Sequence, residues 1–290
     1  MSSKLKLIRT LPFLLLFTLL AAGQNTQLTA RQLIERIQTN VGVAWANDTV
    51  DTFKAGNPDT PVSGIAVTMM ATLEVLQRAS ASGKNLIITH EPTFYNHRDQ
   101  TATLQHQNDP VLAAKESFIA QHNLVVWRFH DHWHARKPDG ILLGMTRALG
   151  WVDFQSANDP NLFTLPETTL NQLAKTIKIK INIRAMRVVG NPGMKLTKVA
   201  FLPGAGGSEK QIRMLERDNV EALLIGETPE WETVEYVADA VTARKHKALI
   251  ILGHIPSEQA GMEECTLWLR SFIKELPVEF VPASEPFWLP

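Results

Sequence analysis

Short runs of continuous apolar residues alternate along this chain with stretches whose apolar positions recur every three or four residues. The runs at 64–70, 85–89, 124–129, 186–190, 199–202, 222–225, 248–252 and 278–281 predict strands buried on both faces. Helical periodicity lies between them, at 110–122, 140–149, 209–218, 232–246 and 258–275. Thr29 reads as the N-cap of a first helix carrying Leu33, Ile34 and Ile37 on one face. Thr72 opens another that Gly83 stops, Thr168 or Thr169 caps one running to about Lys178, and Gly150 ends the helix at 140–149. Residues 47–61, rich in Asp, Asn, Gly and Pro, read as loop, as do residues 154–166. Strand–helix–strand order predicts an α/β fold with mostly parallel or mixed sheets. Two α/β domains are expected, the first from 24–155 plus about 256–290 and the second from 156–255.

Composition narrows the class. Basic and acidic side chains balance at 29 each, and no block of like charge stands out, so nothing suggests a nucleic-acid partner. Lys4, Lys6 and Arg9 precede an apolar run at 11–22 that ends in Ala21-Ala22-Gly23, the pattern of a cleaved signal peptide over 1–23. The run is short of the roughly 20 residues that a membrane span needs, so no membrane attachment is expected after its removal. The mature chain is therefore expected in a periplasm or outside the cell. Cys265 is the single cysteine, which excludes internal disulfides and cysteine-based metal or redox sites.

Ligands of open α/β sheets bind at the carboxyl ends of strands. Four of the predicted strands end in His90-Glu91, in His130-Asp131-His132-Trp133-His134, in Gly226-Glu227 and in Gly253-His254, with Glu258 shortly after. Imidazole and carboxylate are the ligand set of zinc above all, and also of manganese or iron. The candidate metal ligands are His90, Glu91, His132, His134, His254 and Glu258. If residues 130–134 are extended, period two turns all three histidines to one side and Asp131 to the other, where it can orient a neighbour. His254 and Glu258 stand about one helical turn apart. Glu227 and Glu91 are the candidate general bases. His97, Arg98 and Asp99 are expected to line the pocket, whereas His106, His122 and His246 read as surface residues. Gly204-Ala-Gly-Gly-Ser208 between a strand and a helix is either a phosphate-facing loop or a tight turn. No Gly-x-Ser-x-Gly elbow is present, which disfavours a serine hydrolase.

At these residues the chain resembles the Nif-three-like dinuclear-metal family, also called GTP cyclohydrolase type I, type 2-like. The resemblance rests on six blocks in order: Gly64-Ile-Ala-Val with Ala71-Thr-Leu-Glu-Val, Leu86-Ile-Ile-Thr-His90-Glu91-Pro92, Val188-Val-Gly-Asn-Pro, Gly204-Ala-Gly-Gly-Ser, Ile225-Gly-Glu and Gly253-His-Ile-Pro-Ser-Glu258, with a similar closing segment at 282–287. It implies two α/β domains, a pair of close divalent metals between them and a homo-oligomer, often a hexameric ring. The family's ligands carry over to His90, His254 and Glu258. Glu91 stands where the family has the second histidine of a pair, and His134 where it has a bridging aspartate. The function expected is a metal-dependent hydrolase acting on a small molecule, a phosphoester or a cyclic amide. The alternatives are an exported metal-handling protein and an oligomeric scaffold without catalysis.

Overall fold

The structure, a computed structural model, describes residues 27–290, so the leader expected at 1–23 lies outside the described residues. Two five-stranded mixed sheets organise it. The first contains β1 (Phe53–Ala55), β2 (Ile65–Thr68), β3 (Leu86–Thr89), β4 (Val125–Arg128) and β10 (Val278–Phe280), and the second β5 (Leu162–Thr169), β6 (Arg187–Val189), β7 (Lys195–Leu202), β8 (Ala222–Ile225) and β9 (Ala248–Ile251). Their orders are β1-β4-β3-β2-β10 and β5-β7-β8-β9-β6. In each sheet three consecutive strands run parallel, β2 to β4 and β7 to β9, with crossovers between them. Every residue of β2, β3, β4, β8 and β9 is buried, as strands covered on both faces require.

Local chemistry sets the ends of the elements. Thr29 and Gln32 form a reciprocal capping box on the helix Ala30–Asn40, and Thr72 caps Leu73–Ala81 through Val75 N–H. Gly150, at φ +71°, ends the helix Gly140–Leu149. Two strands escape the hydrophobic pattern. β1 lies inside the expected loop at 47–61, and β5 begins within the stretch expected at 154–166 to be loop. Both are outer strands paired antiparallel. Their residues are only partly buried or carry Thr, Pro and Glu, so they lack the apolar run that betrays a central strand.

One helix ties the sheets together. His254–Phe272 leaves the carboxyl end of β9 in the second sheet and packs against the helix Gly140–Leu149 and β2 of the first. The approach depends on missing side chains: a Cβ on Gly144 would lie 2.3 Å from Ala260 O, and one on Gly261 would lie 2.4 Å from Ile141 Cα. Trp133 Nε1–H donates to Gly261 O at 3.2 Å and fixes the crossing from a third element. Among the described residues no helix is long and apolar enough to cross a membrane.

Candidate metal centre

The carboxyl ends of β3, β4, β8 and β9 meet through their side chains. His90 and Glu91 follow β3, His130 follows β4, Glu227 follows β8, and His254 opens the long helix after β9. Because that helix begins at His254, Glu258 lies one turn later on the same face. Ligand atoms of His90, His130 and His134 lie within 4.8 Å of one another, as do those of His90, Glu91 and Glu258. His254 Nε2 stands 3.4 Å from Glu91 Oε1 and 3.3 Å from Glu258 Oε2, and His90 Nε2 stands 3.7 Å from Glu258 Oε2.

The segment after β4 differs from the extended reading. Residues Asp131–Ala135 form a short helix, so His130 and His134 share a face at a spacing of four. His132 points elsewhere. Its Nδ1 lies 2.7 Å from Asp51 Oδ2, its Nε2 accepts from Ala46 N–H at 2.9 Å, and its ring stacks on Trp45. With both nitrogens engaged and the side chain buried, His132 is a structural residue, not the ligand expected of it. His130, in contrast, faces the cluster: its ring centroid is 4.6 Å from that of His90. A five-residue helix is too short to leave a periodic signal, so the sequence does not distinguish the coil that pairs His130 with His134 from an extended run that includes His132.

The imidazoles share one orientation. Nδ1 of His90 faces Phe129 O at 3.1 Å, Nδ1 of His130 faces Asp131 at 2.8 Å, Nδ1 of His134 faces Asp139 at 2.9 Å, and Nδ1 of His254 faces Glu227 at 3.3 Å. Carbonyls and carboxylates only accept, so each Nδ1 carries a proton, and in its neutral form each ring keeps its lone pair on Nε2. Metal-binding histidines are oriented in this way by their outer partners. The donor set therefore fits divalent cations on two counts. It is all imidazole and carboxylate, and among the described residues buried His90 Nε2 and Glu258 Oε2 have no hydrogen-bond partner.

Proton affinities follow from the same geometry. Burial, and then the neighbouring His130 and His134, hold His90 well below the usual imidazole range, in the neutral form that binds metals. Burial also disfavours charge on His254, but the carboxylates of Glu227, Glu258 and Glu91, at 3.3, 3.3 and 3.4 Å, outweigh it and push this imidazole up to about 12. Burial would raise Glu91, yet the hydrogen bond from His254 prevails and keeps it below the usual carboxylate range. A proton on His254 thus neutralises the carboxylates as a cation would.

One supporting residue escaped sequence reasoning. Arg128, fully buried at the end of β4, holds Glu91 Oε2 at 3.3 Å and donates from Nε to His90 O at 2.9 Å. Only its placement one residue inside a strand end hinted at this. Gly204, at the start of the glycine-rich loop, packs against the cluster: at φ +65° it faces Glu258, and a Cβ there would lie 2.3 Å from Glu258 Oε1. Among the other expected pocket residues, His97 is exposed, its ring 6.3 Å edge-on from that of His130. Asp99 turns to Lys54, and Arg98 pairs with Asp48 at the surface. Glu227 is half exposed and borders a cavity of about 680 Å³ whose walls include Met70, Met186, Ile251, Phe287 and Trp288.

Fold and cluster together define an α/β protein with a histidine–carboxylate centre where two sheets meet. The chain belongs to the Duf34/NIF3 (NGG1p interacting factor 3) family, whose sequence profile matches residues 28–286. A protein of Chlamydia pneumoniae named GTP cyclohydrolase 1 type 2 homolog is 21% identical over 248 residues, covering 81% of this chain and 89% of that one. A homolog of the same name from Clostridium acetobutylicum is 24% identical over 215 residues, covering 70% and 75%. The fold matches a Bacillus cereus protein related to NIF3 with a TM-score of 0.69 at 16% identity, over 90% of this chain and 99% of that one. A Staphylococcus aureus hypothetical protein matches with a TM-score of 0.68 at the same identity and coverage.

Proposed function

We propose that the chain is a metal-dependent hydrolase of a small molecule, with two divalent cations, zinc foremost, held by the cluster. His90, His130 and His134 would form one ligand group, and Glu91, His254 and Glu258 the other, with His90 near both. The observation that carries this reading is the set of imidazoles anchored through Nδ1 beside a buried His90 Nε2 and Glu258 Oε2 that have no hydrogen-bond partner among the described residues. Bound divalent ions supply Lewis-acid stabilisation of negative charge and make water a usable nucleophile at neutral pH.

The chain's own groups divide the remaining work. Glu91 is held by Arg128 at one oxygen and faces His130 and His254 at the other, so it serves as a ligand. Glu227 touches His254 through one oxygen and borders the 680 Å³ cavity, so it is the carboxylate placed to take a proton at the cavity wall. That cavity is large enough for a small organic substrate and is mostly apolar. Export through the leader and assembly into a homo-oligomer belong to the same reading. N-terminal sequencing of the mature protein and native mass spectrometry measure them.

Elemental analysis after zinc titration tests the centre. Wild type is expected to hold up to two tight ions per chain, and His254→Ala and Glu258→Gln are expected to lose affinity by on the order of 100-fold or more. A wild-type chain without tight metal overturns the proposal. A zinc-loaded chain inert toward phosphoester, amide and lactone panels rejects hydrolysis and leaves metal carriage.

A further inference from the structure

A second cavity, of about 510 Å³, borders the cluster on its Glu91 side. Its lining includes Glu91, Thr93, Tyr95 and Lys115, and Met70 lines both this cavity and the larger one. Lys115 comes from the helix Pro110–Gln121 and is only 3% exposed. Its Nζ donates to Thr93 O at 2.5 Å. The rings of Phe94 and Tyr95 lie 5.8 and 5.3 Å from it. An ammonium has three donors, and among the described residues no carboxylate comes within 4.0 Å of this one. Asp99, which acts on Lys115 through space, is shared between Lys54 at 3.5 Å and Arg128 at 3.8 Å. Thr93 Oγ1, in the same wall, is buried and has no hydrogen-bond partner among the described residues.

Buried ammonium groups without a counter-anion are rare, because desolvation is costly unless an opposite charge compensates it. Here the unmatched cation and the unmatched hydroxyl line one cavity, and a candidate metal ligand forms part of the same wall. We infer that this cavity is an oxyanion subsite: the molecule processed at the cluster carries a phosphate or carboxylate group, anchored by Lys115 Nζ and Thr93 Oγ1. The inference rests on the metal-centre reading for its substrate, but the subsite exists without the metals. The substrate class becomes a small molecule anionic at one end, whose less polar part extends past Met70 toward the apolar cavity.

Titration calorimetry with inorganic phosphate and, separately, acetate tests this on the full-length chain, both metal-free and zinc-loaded. The metal-free wild type is expected to bind one oxyanion, Lys115→Met to weaken it at least tenfold, and Lys115→Arg to retain part of it. Substitution of the exposed Lys178 by Met serves as the control and is expected to change nothing. Tighter phosphate than acetate identifies a phosphate ester, and the reverse a carboxylate. Zinc uptake by Lys115→Met reports that the variant is folded, since Lys115 touches no candidate ligand side chain. Oxyanion binding that is absent from the metal-free wild type, or that is unchanged in Lys115→Met, overturns the inference. Loss of zinc binding in the wild type with Lys115-dependent phosphate binding intact would remove the metal-centre reading and leave the subsite.

Discussion

His130 and His132 sit two residues apart and do opposite things. His132 closes a buried set in which Asp51 accepts from the N–H groups of His130, Asp131 and His132, so Asp51 pins the start of the short helix. Replacing His132 by Ala leaves Ala46 N–H unpaired and Trp45 unstacked, at a cost of about 1–3 kcal/mol. The expected result is a melting temperature lower by roughly 5 °C with zinc stoichiometry unchanged. His130→Ala should reverse the pattern, with near-normal melting of the metal-free chain and weakened zinc. Equal effects of the two substitutions would contradict the assignment. The sequence could show that imidazoles gather after β4. It could not show which of them converge, because that depends on whether five residues coil or extend. His90, His254 and Glu258 were legible because their neighbours, apolar strands and a long helix, carry strong patterns.

The long helix owes its position to small residues, and the site inherits that position. Gly144→Val would drive a side chain into the backbone of Ala260 and Gly261, costing about 1–3 kcal/mol or more and displacing His254 and Glu258 together. Calorimetry and zinc titration should show both losses at once. Gly204→Ala is expected to be more selective. It strains one left-handed backbone position and crowds Glu258, so zinc affinity should fall further than stability does. The central strands were read from their apolar runs. The helix was placed four residues late because Pro256, acceptable in a first turn, looks like a boundary. β1 and β5 were missed because outer strands need only one buried face.

Across the whole molecule, charge state is coupled to stability. Burial lowers Lys115 to about 8 from an ordinary value of 10.5. Between those values the unfolded chain binds more protons than the folded one, so stability rises with pH through that window, and below it the buried charge is a full burden. Lys115→Met should remove the slope and raise neutral-pH stability by roughly 1–3 kcal/mol, measurable by urea unfolding across pH. The metal-free cluster holds its own proton on His254, so zinc uptake should release protons. Calorimetry in buffers of different ionisation enthalpy would reveal this, and affinity should weaken steadily as pH falls, since His254 holds its proton up to about pH 12. The α/β class and the sequence of most elements were legible from patterning, whereas the meeting of two strand sets at one centre is long-range and leaves no local trace. The order of assembly follows from β10. The second sheet has all five strands once residue 251 has been synthesised, but the first waits for residues 254–280 to supply its outermost strand and the helix that covers it. On the ribosome, the half that begins earlier is completed later, and a chain halted after β9 leaves its opening strands uncovered and prone to aggregate.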